Sequence, residues 1–165
     1  MLIAFGGLPG TGKSTIAALV ANRLAATTLR IDTIEQAIRE ARPGAIGPEG
    51  YLVAYALAES NLRLGRTVVT DAVNPLPVTR AAFRDVAARS GCALLEVECV
   101  CSDTAEHRRR VETRIAEVSG LRLPSWEDVL GRDYRPWPEP HFIFDTAILS
   151  ATAVADQICA LVVAR

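Results

Sequence analysis

The chain has one lysine, one methionine and two histidines, and only 5% of its 165 residues are aromatic. It also lacks a charge excess, with 18 basic residues against 19 acidic ones. A near-neutral chain is a poor fit to a broad nucleic-acid or membrane surface, so small partners are expected. No apolar run is long enough to span a bilayer. Met1–Phe5 is too short for a signal-peptide core and runs straight into a glycine-rich loop, which makes the cytoplasm the expected compartment. The four cysteines (Cys92, Cys99, Cys101, Cys159) lack zinc spacing and read as reduced packing residues. Cys99 and Cys101 fall in an apolar strand pattern where both face one side. His107 and His141 are isolated, without metal-ligand company.

What is present is concentrated near the amino end. Gly7-Leu8-Pro9-Gly10-Thr11-Gly12-Lys13-Ser14 fits G-x-x-x-x-G-K-[ST], with an apolar run at 2–5 before it and a helical pattern from Thr15 after it. At this chain's composition a chance match has a probability of about 5 in 10,000. The glycines let successive N–H groups point inward at phosphate oxygens, and the helix start adds its positive dipole end. Lys13 is the only lysine; every other basic residue is arginine. A compact ammonium reaches between phosphate oxygens where a planar guanidinium is too bulky.

Length and an even alternation of strand and helix signals indicate one domain, residues 1–165, of α/β class: a parallel sheet covered by helices on both faces. Strands are expected at 2–5, 27–31, 67–70, 93–101 and 142–145. Helices are expected at 14–25, from Thr33 to a stop at Pro43-Gly44, then at 51–64, 78–90, 103–118 and 151–163, with a capped start at Ser125. The stretch 42–50, with two prolines and three glycines, reads as a loop, and 135–140 as extended.

Ligands of such sheets bind beyond the carboxyl ends of the strands, where three acids are expected: Asp32, Asp71 and Asp145. A phosphate held by Lys13 would carry Mg²⁺, with Ser14 as one ligand and a strand-end acid as another. Asp71 is preferred over Asp145, because its strand is the better candidate to lie beside the first. Asp32 fits a general base for an acceptor hydroxyl, and with Glu35 three residues on it also fits a helix cap. Arg110 and Arg114 share one helix face, and the flexible stretch 120–124 beyond them could make the region 103–140 a lid that brings positive charge to a moving phosphoryl group. Tyr51, Tyr55 and Glu59 share another face and could line an acceptor pocket, although core packing is the commoner use of such a pair. Trp126, Tyr134 and Trp137 read as packing residues.

Together, Gly7–Thr15, Arg30-Ile31-Asp32, Val69–Asn74, Cys101–Arg114 and Trp126-Glu127-Asp128-Val129 resemble the small P-loop kinases often labelled AAA-type ATPases, a group similar to gluconate kinase, chloramphenicol phosphotransferase and zeta-toxin kinases. The resemblance covers nearly the whole chain. It implies a three-layer P-loop NTPase fold with strand order 2-3-1-4-5, use of ATP and Mg²⁺, and phosphoryl transfer to a small-molecule hydroxyl. It implies that Gly10, Thr11, Gly12, Lys13, Ser14 and Thr15 bind nucleotide, Ser14 and Asp71 the metal, that Asp32 is the base, and that Arg110 and Arg114 form the lid. A monomer or homodimer is expected. It does not name the acceptor, and nothing in the chain matches the extra helical domain of hexameric AAA machines. A polynucleotide end kinase and an ATP-hydrolysing switch stay open as alternatives.

Overall fold

A computed structural model describes every residue except Pro43 and Arg165. Five strands, β1 (Leu2–Gly6), β2 (Thr27–Arg30), β3 (Val68–Asp71), β4 (Leu94–Val100) and β5 (Phe142–Asp145), form one sheet in the order β2-β3-β1-β4-β5. Every neighbouring pair is parallel. β1 is the middle strand and all five of its residues are buried. That is why it reads as a continuous apolar run rather than an alternating one.

The helices are α1 (Lys13–Leu24), α2 (Ile31–Ala41), α3 (Glu49–Arg63), α4 (Pro77–Arg89), α5 (Thr104–Thr113), α6 (Trp126–Leu130) and α7 (Ala151–Val163). Alternate β1 side chains divide between two cores, as the two-residue period of a strand requires. Ile3 and Phe5 pack with Ile16 and Val20 of α1 and Ile158 of α7. Leu2 and Ala4 pack with Leu62 of α3 and with Phe83 and Val86 of α4. The sheet is therefore covered on both faces, and the loop between β1 and α1 leaves the sheet at its centre.

Three expectations need correction. β2 ends at Arg30, and Ile31 already belongs to α2, so Asp32 lies in the first turn of a helix rather than at a strand end. Ile31 drives this: it is 4% exposed and packs with Ala54 and Ala72. The Asp32–Glu35 cap does not form, because the cap position is Arg30 and no side chain bonds there. Asp32 still gains from the positive end of the helix dipole. The helix expected over 103–118 stops at Thr113, and Arg114 is extended (φ −68°, ψ 145°). Ile115 is 88% exposed, so a longer helix would bury little. α2 itself ends at Ala41 with an extended Arg42; the expected stop at Pro43 lies outside the described residues.

The capped start at Ser125 is present in full: Ser125 and Asp128 exchange hydrogen bonds with each other's backbone N–H. The chain after α6 runs back across the sheet's carboxyl end, where the Arg135 N–H donates to the Pro75 carbonyl at 2.8 Å. This places Trp137, 8% exposed, directly against Gly6. A Cβ on Gly6 would lie 2.3 Å from the Trp137 ring. Gly6→Ala is expected to cost about 1–3 kcal/mol of stability through overpacking, read as a lower urea midpoint, and Trp137→Leu in the same background should recover part of it. An unchanged midpoint would show that the ring moves aside freely.

Candidate active site

The loop from Gly7 to Gly12 is held from behind by its own carbonyls. The Thr11 hydroxyl donates to the Leu8 carbonyl at 2.9 Å, His107 Nε2 contacts the Pro9 carbonyl at 2.8 Å, and the Thr146 hydroxyl donates to the Thr11 carbonyl at 2.9 Å. The Gly7 N–H donates to the Val73 carbonyl at 3.0 Å, tying the loop to the end of β3. Gly10 has φ +87°, and a Cβ there would lie 2.5 Å from Val111 of α5. Close support and a left-handed backbone both demand glycine. With the carbonyls taken, the N–H groups of the first turn of α1 remain without intrahelical acceptors, at the positive end of the helix.

Lys13, the first residue of α1, is 6% exposed and makes no hydrogen bond or ion pair among the described residues. The stem of this side chain is covered while the side chain lines open space, so its charge is available to an anion entering there. Two clefts meet at this side chain. One, about 280 Å³, is lined by Gly10, Gly12, Ser14, Thr15, Arg110 and Arg114. The other, about 550 Å³, includes Pro9, Asp32, Glu35, Tyr51 and Arg114. Lys13 and Arg114 line both.

The two arginines expected to act together differ in their freedom. Arg110 is anchored: its Nε donates to Glu106 at 2.7 Å, and its terminal nitrogens donate to the hydroxyl and carbonyl of Thr146 at 2.9 and 3.0 Å. It also borders a pocket of about 290 Å³ with Thr15, Leu149 and Ser150. Arg114, just past the end of α5, has no side-chain partner among the described residues.

Asp71 and Ser14 line a common groove, together with Arg30 and Glu117. One carboxylate oxygen of Asp71, Oδ2, lies 3.5 Å from Arg30, and the other, Oδ1, is buried without a partner. An orphaned carboxylate oxygen beside a hydroxyl is a donor set that suits a hard divalent cation completing its shell with phosphate and water. Asp145 is placed differently. It accepts from the N–H groups of Ser102 and Ala147 at the end of the sheet-edge strand β5, and the Ser102 side chain first, then these two bonds, hold its carboxyl below the usual range.

In the larger cleft, burial raises the Glu35 carboxyl, and Arg39 at 3.1 Å partly offsets this. Burial pushes the Tyr51 phenol up to about 12, so it stays protonated near neutrality; its oxygen accepts from the Asn74 N–H at 3.1 Å. Tyr55 and Glu59 do not reach the cleft. Tyr55 stacks edge-on against Phe83 and donates to the Thr79 carbonyl, while Glu59 pairs with Arg63 and Arg89.

Three contributors escape the sequence pattern: Arg30, His107 and Thr146. His107, read as isolated, braces the loop and packs edge-on against Trp126 at 5.1 Å. Thr146 lies far along the chain from Thr11, and no spacing rule connects them.

Sheet order and loop placement define the class as a P-loop nucleoside-triphosphatase fold. The family model described as "AAA domain" matches residues 2–128, and the chain belongs to that family. No curated protein sequence matches it. The Mycobacterium tuberculosis APS kinase CysC, solved with AMPPNP and APS, is 22% identical, with TM-score 0.69 over 98% of this chain and 96% of its own. Chaetomium thermophilum Kti12, solved with ADP-AlF3, is 19% identical, with TM-score 0.74 over 97% and 98%. A Sinorhizobium meliloti gluconokinase is 19% identical, with TM-score 0.66 over 97% and 90%. At these identities the likeness is one of fold.

His107→Ala removes both the brace and the ring contact, and is expected to cost about 2–4 kcal/mol in urea unfolding while accelerating hydrogen exchange across residues 9–12. A loss below about 0.5 kcal/mol with unchanged exchange would mean the loop is held without it.

Proposed function

We propose that this protein is an ATP-dependent kinase that transfers the γ-phosphoryl group to a hydroxyl of a small molecule. The observation that carries this reading is Lys13, without a counter-ion among the described residues, where a glycine-loop cleft opens onto a second cleft containing an acid. The second cleft gives an acceptor a place to sit beside the loop. The APS kinase and gluconokinase of similar fold support the reading by name.

In this scheme the backbone N–H groups from Gly10 to Ser14, with Lys13, hold the β- and γ-phosphates, and Thr15 supports the α-phosphate. Ser14 and Asp71 would hold Mg²⁺, which supplies charge neutralisation at the phosphates when bound. Asp32 accepts the proton of the acceptor hydroxyl as its oxygen bonds to the γ-phosphorus and the bond to the bridging oxygen of ADP breaks. Arg110, fixed on Thr146, and Arg114, free to move, supply positive charge as that bond shifts. The segment 103–140, which carries both, acts as the lid over one domain spanning 1–165.

Loss of a preorganised contact of this kind typically costs about 100-fold to 1,000-fold in turnover. Lys13→Ala and Lys13→Arg are both expected to fall in that range, measured as label passing from γ-labelled ATP to any compound in a pooled metabolite extract. A wild-type protein that binds ATP with magnesium yet labels nothing in the pool would end the kinase reading. Asp32→Asn should keep nucleotide uptake by calorimetry and lose transfer; near-normal transfer would remove Asp32 as base.

A further inference from the structure

The larger cleft holds more cationic groups than phosphoryl transfer uses. Lys13 and Arg114 face both clefts, but Arg39, Arg122 and Arg132 line the larger one alone. Arg39 is committed to Glu35. Arg122 and Arg132 make no side-chain hydrogen bond or ion pair among the described residues. The acid close to both is Asp128, whose carboxylate already accepts from the Ser125 N–H at 2.9 Å as part of the helix cap. That bond first, then the two arginines, keeps the Asp128 carboxyl below its ordinary range.

Arg122 precedes α6 and Arg132 follows it, so this capped five-residue helix fixes the two backbone positions from which these exposed arginines border one cleft. At about 550 Å³, the cleft suits a small molecule. Planar guanidinium forks match carboxylate and phosphate oxygens two at a time. A neutral alcohol would leave both forks unused.

We propose that the phosphoryl acceptor is a small hydroxylated anion, with a carboxylate or phosphate monoester held by Arg122 and Arg132 while its hydroxyl faces Asp32. The hydroxyl part rests on the kinase reading; the anion site does not.

The test is calorimetry on protein saturated with Mg²⁺ and a non-hydrolysable ATP analogue, so that the glycine loop is filled. Orthophosphate and citrate are titrated separately into wild type and Arg122→Ala/Arg132→Ala. The expected result is uptake of at least one anion by wild type, at least 5-fold weaker in the double variant, with nucleotide affinity within about twofold. Stronger uptake of orthophosphate assigns a phosphate monoester, and of citrate a carboxylate. No uptake of either anion by wild type, or equal uptake by the variant, overturns the proposal. If the nucleotide itself is not taken up, the kinase reading falls. The same pair of titrations on free protein then decides the anion site, because neither arginine lines the loop cleft.

Discussion

One lysine, without an ion pair among the described residues and set where the sheet's middle strand gives way to a helix, is the constraint to which the rest of this molecule answers. Lys13 forms no ion pair among the described residues, and its charge is left for whatever anion enters the clefts it lines. The glycine loop supplies the complement, because its carbonyls are bound by Thr11, His107 and Thr146 on the far side. Those bonds are made before any ligand arrives. The site therefore costs little reorganisation when an anion enters.

Helix α5 serves two purposes at once. Its buried face, His107 and Val111, presses against the loop at Pro9 and Gly10, while Arg110 reaches over to Thr146 and Arg114 leaves the helix toward the clefts. The early end of the helix matters here. Had it run on to Val118, Arg114 would be fixed on a helical face; at the terminus it has the freedom of an extended segment. Rigid support and a movable charge come from consecutive turns of one element.

The acids at the carboxyl end of the sheet are sorted by strand order. β3 lies against β1, which brings Asp71 to the groove of Ser14, and pairing with β2 sets Arg30 opposite Asp71. β5 lies at the sheet edge, so Asp145 is spent on capping its own turn. Both acids follow short apolar strands, and only their neighbours separate their roles.

The glycine loop, Lys13, Ser14, the alternation that makes a parallel sheet and the Ser125 cap were all legible in the chain, because each depends on residues within a few positions of one another. The reach of β2, the end of α5 and the position of Asp32 were not, because burial of Ile31 and exposure of Ile115 decided them. His107 and Thr146 looked unremarkable for the same reason: their partners, Pro9 and Thr11, are about a hundred residues away or more. Sequence alone determined that a glycine-rich loop opens a helix at the one lysine, and which residues build it. Tertiary structure decided what stands behind that loop, which acid faces it and which arginines stay unpaired, since those contacts arise only when strands distant in the chain lie side by side.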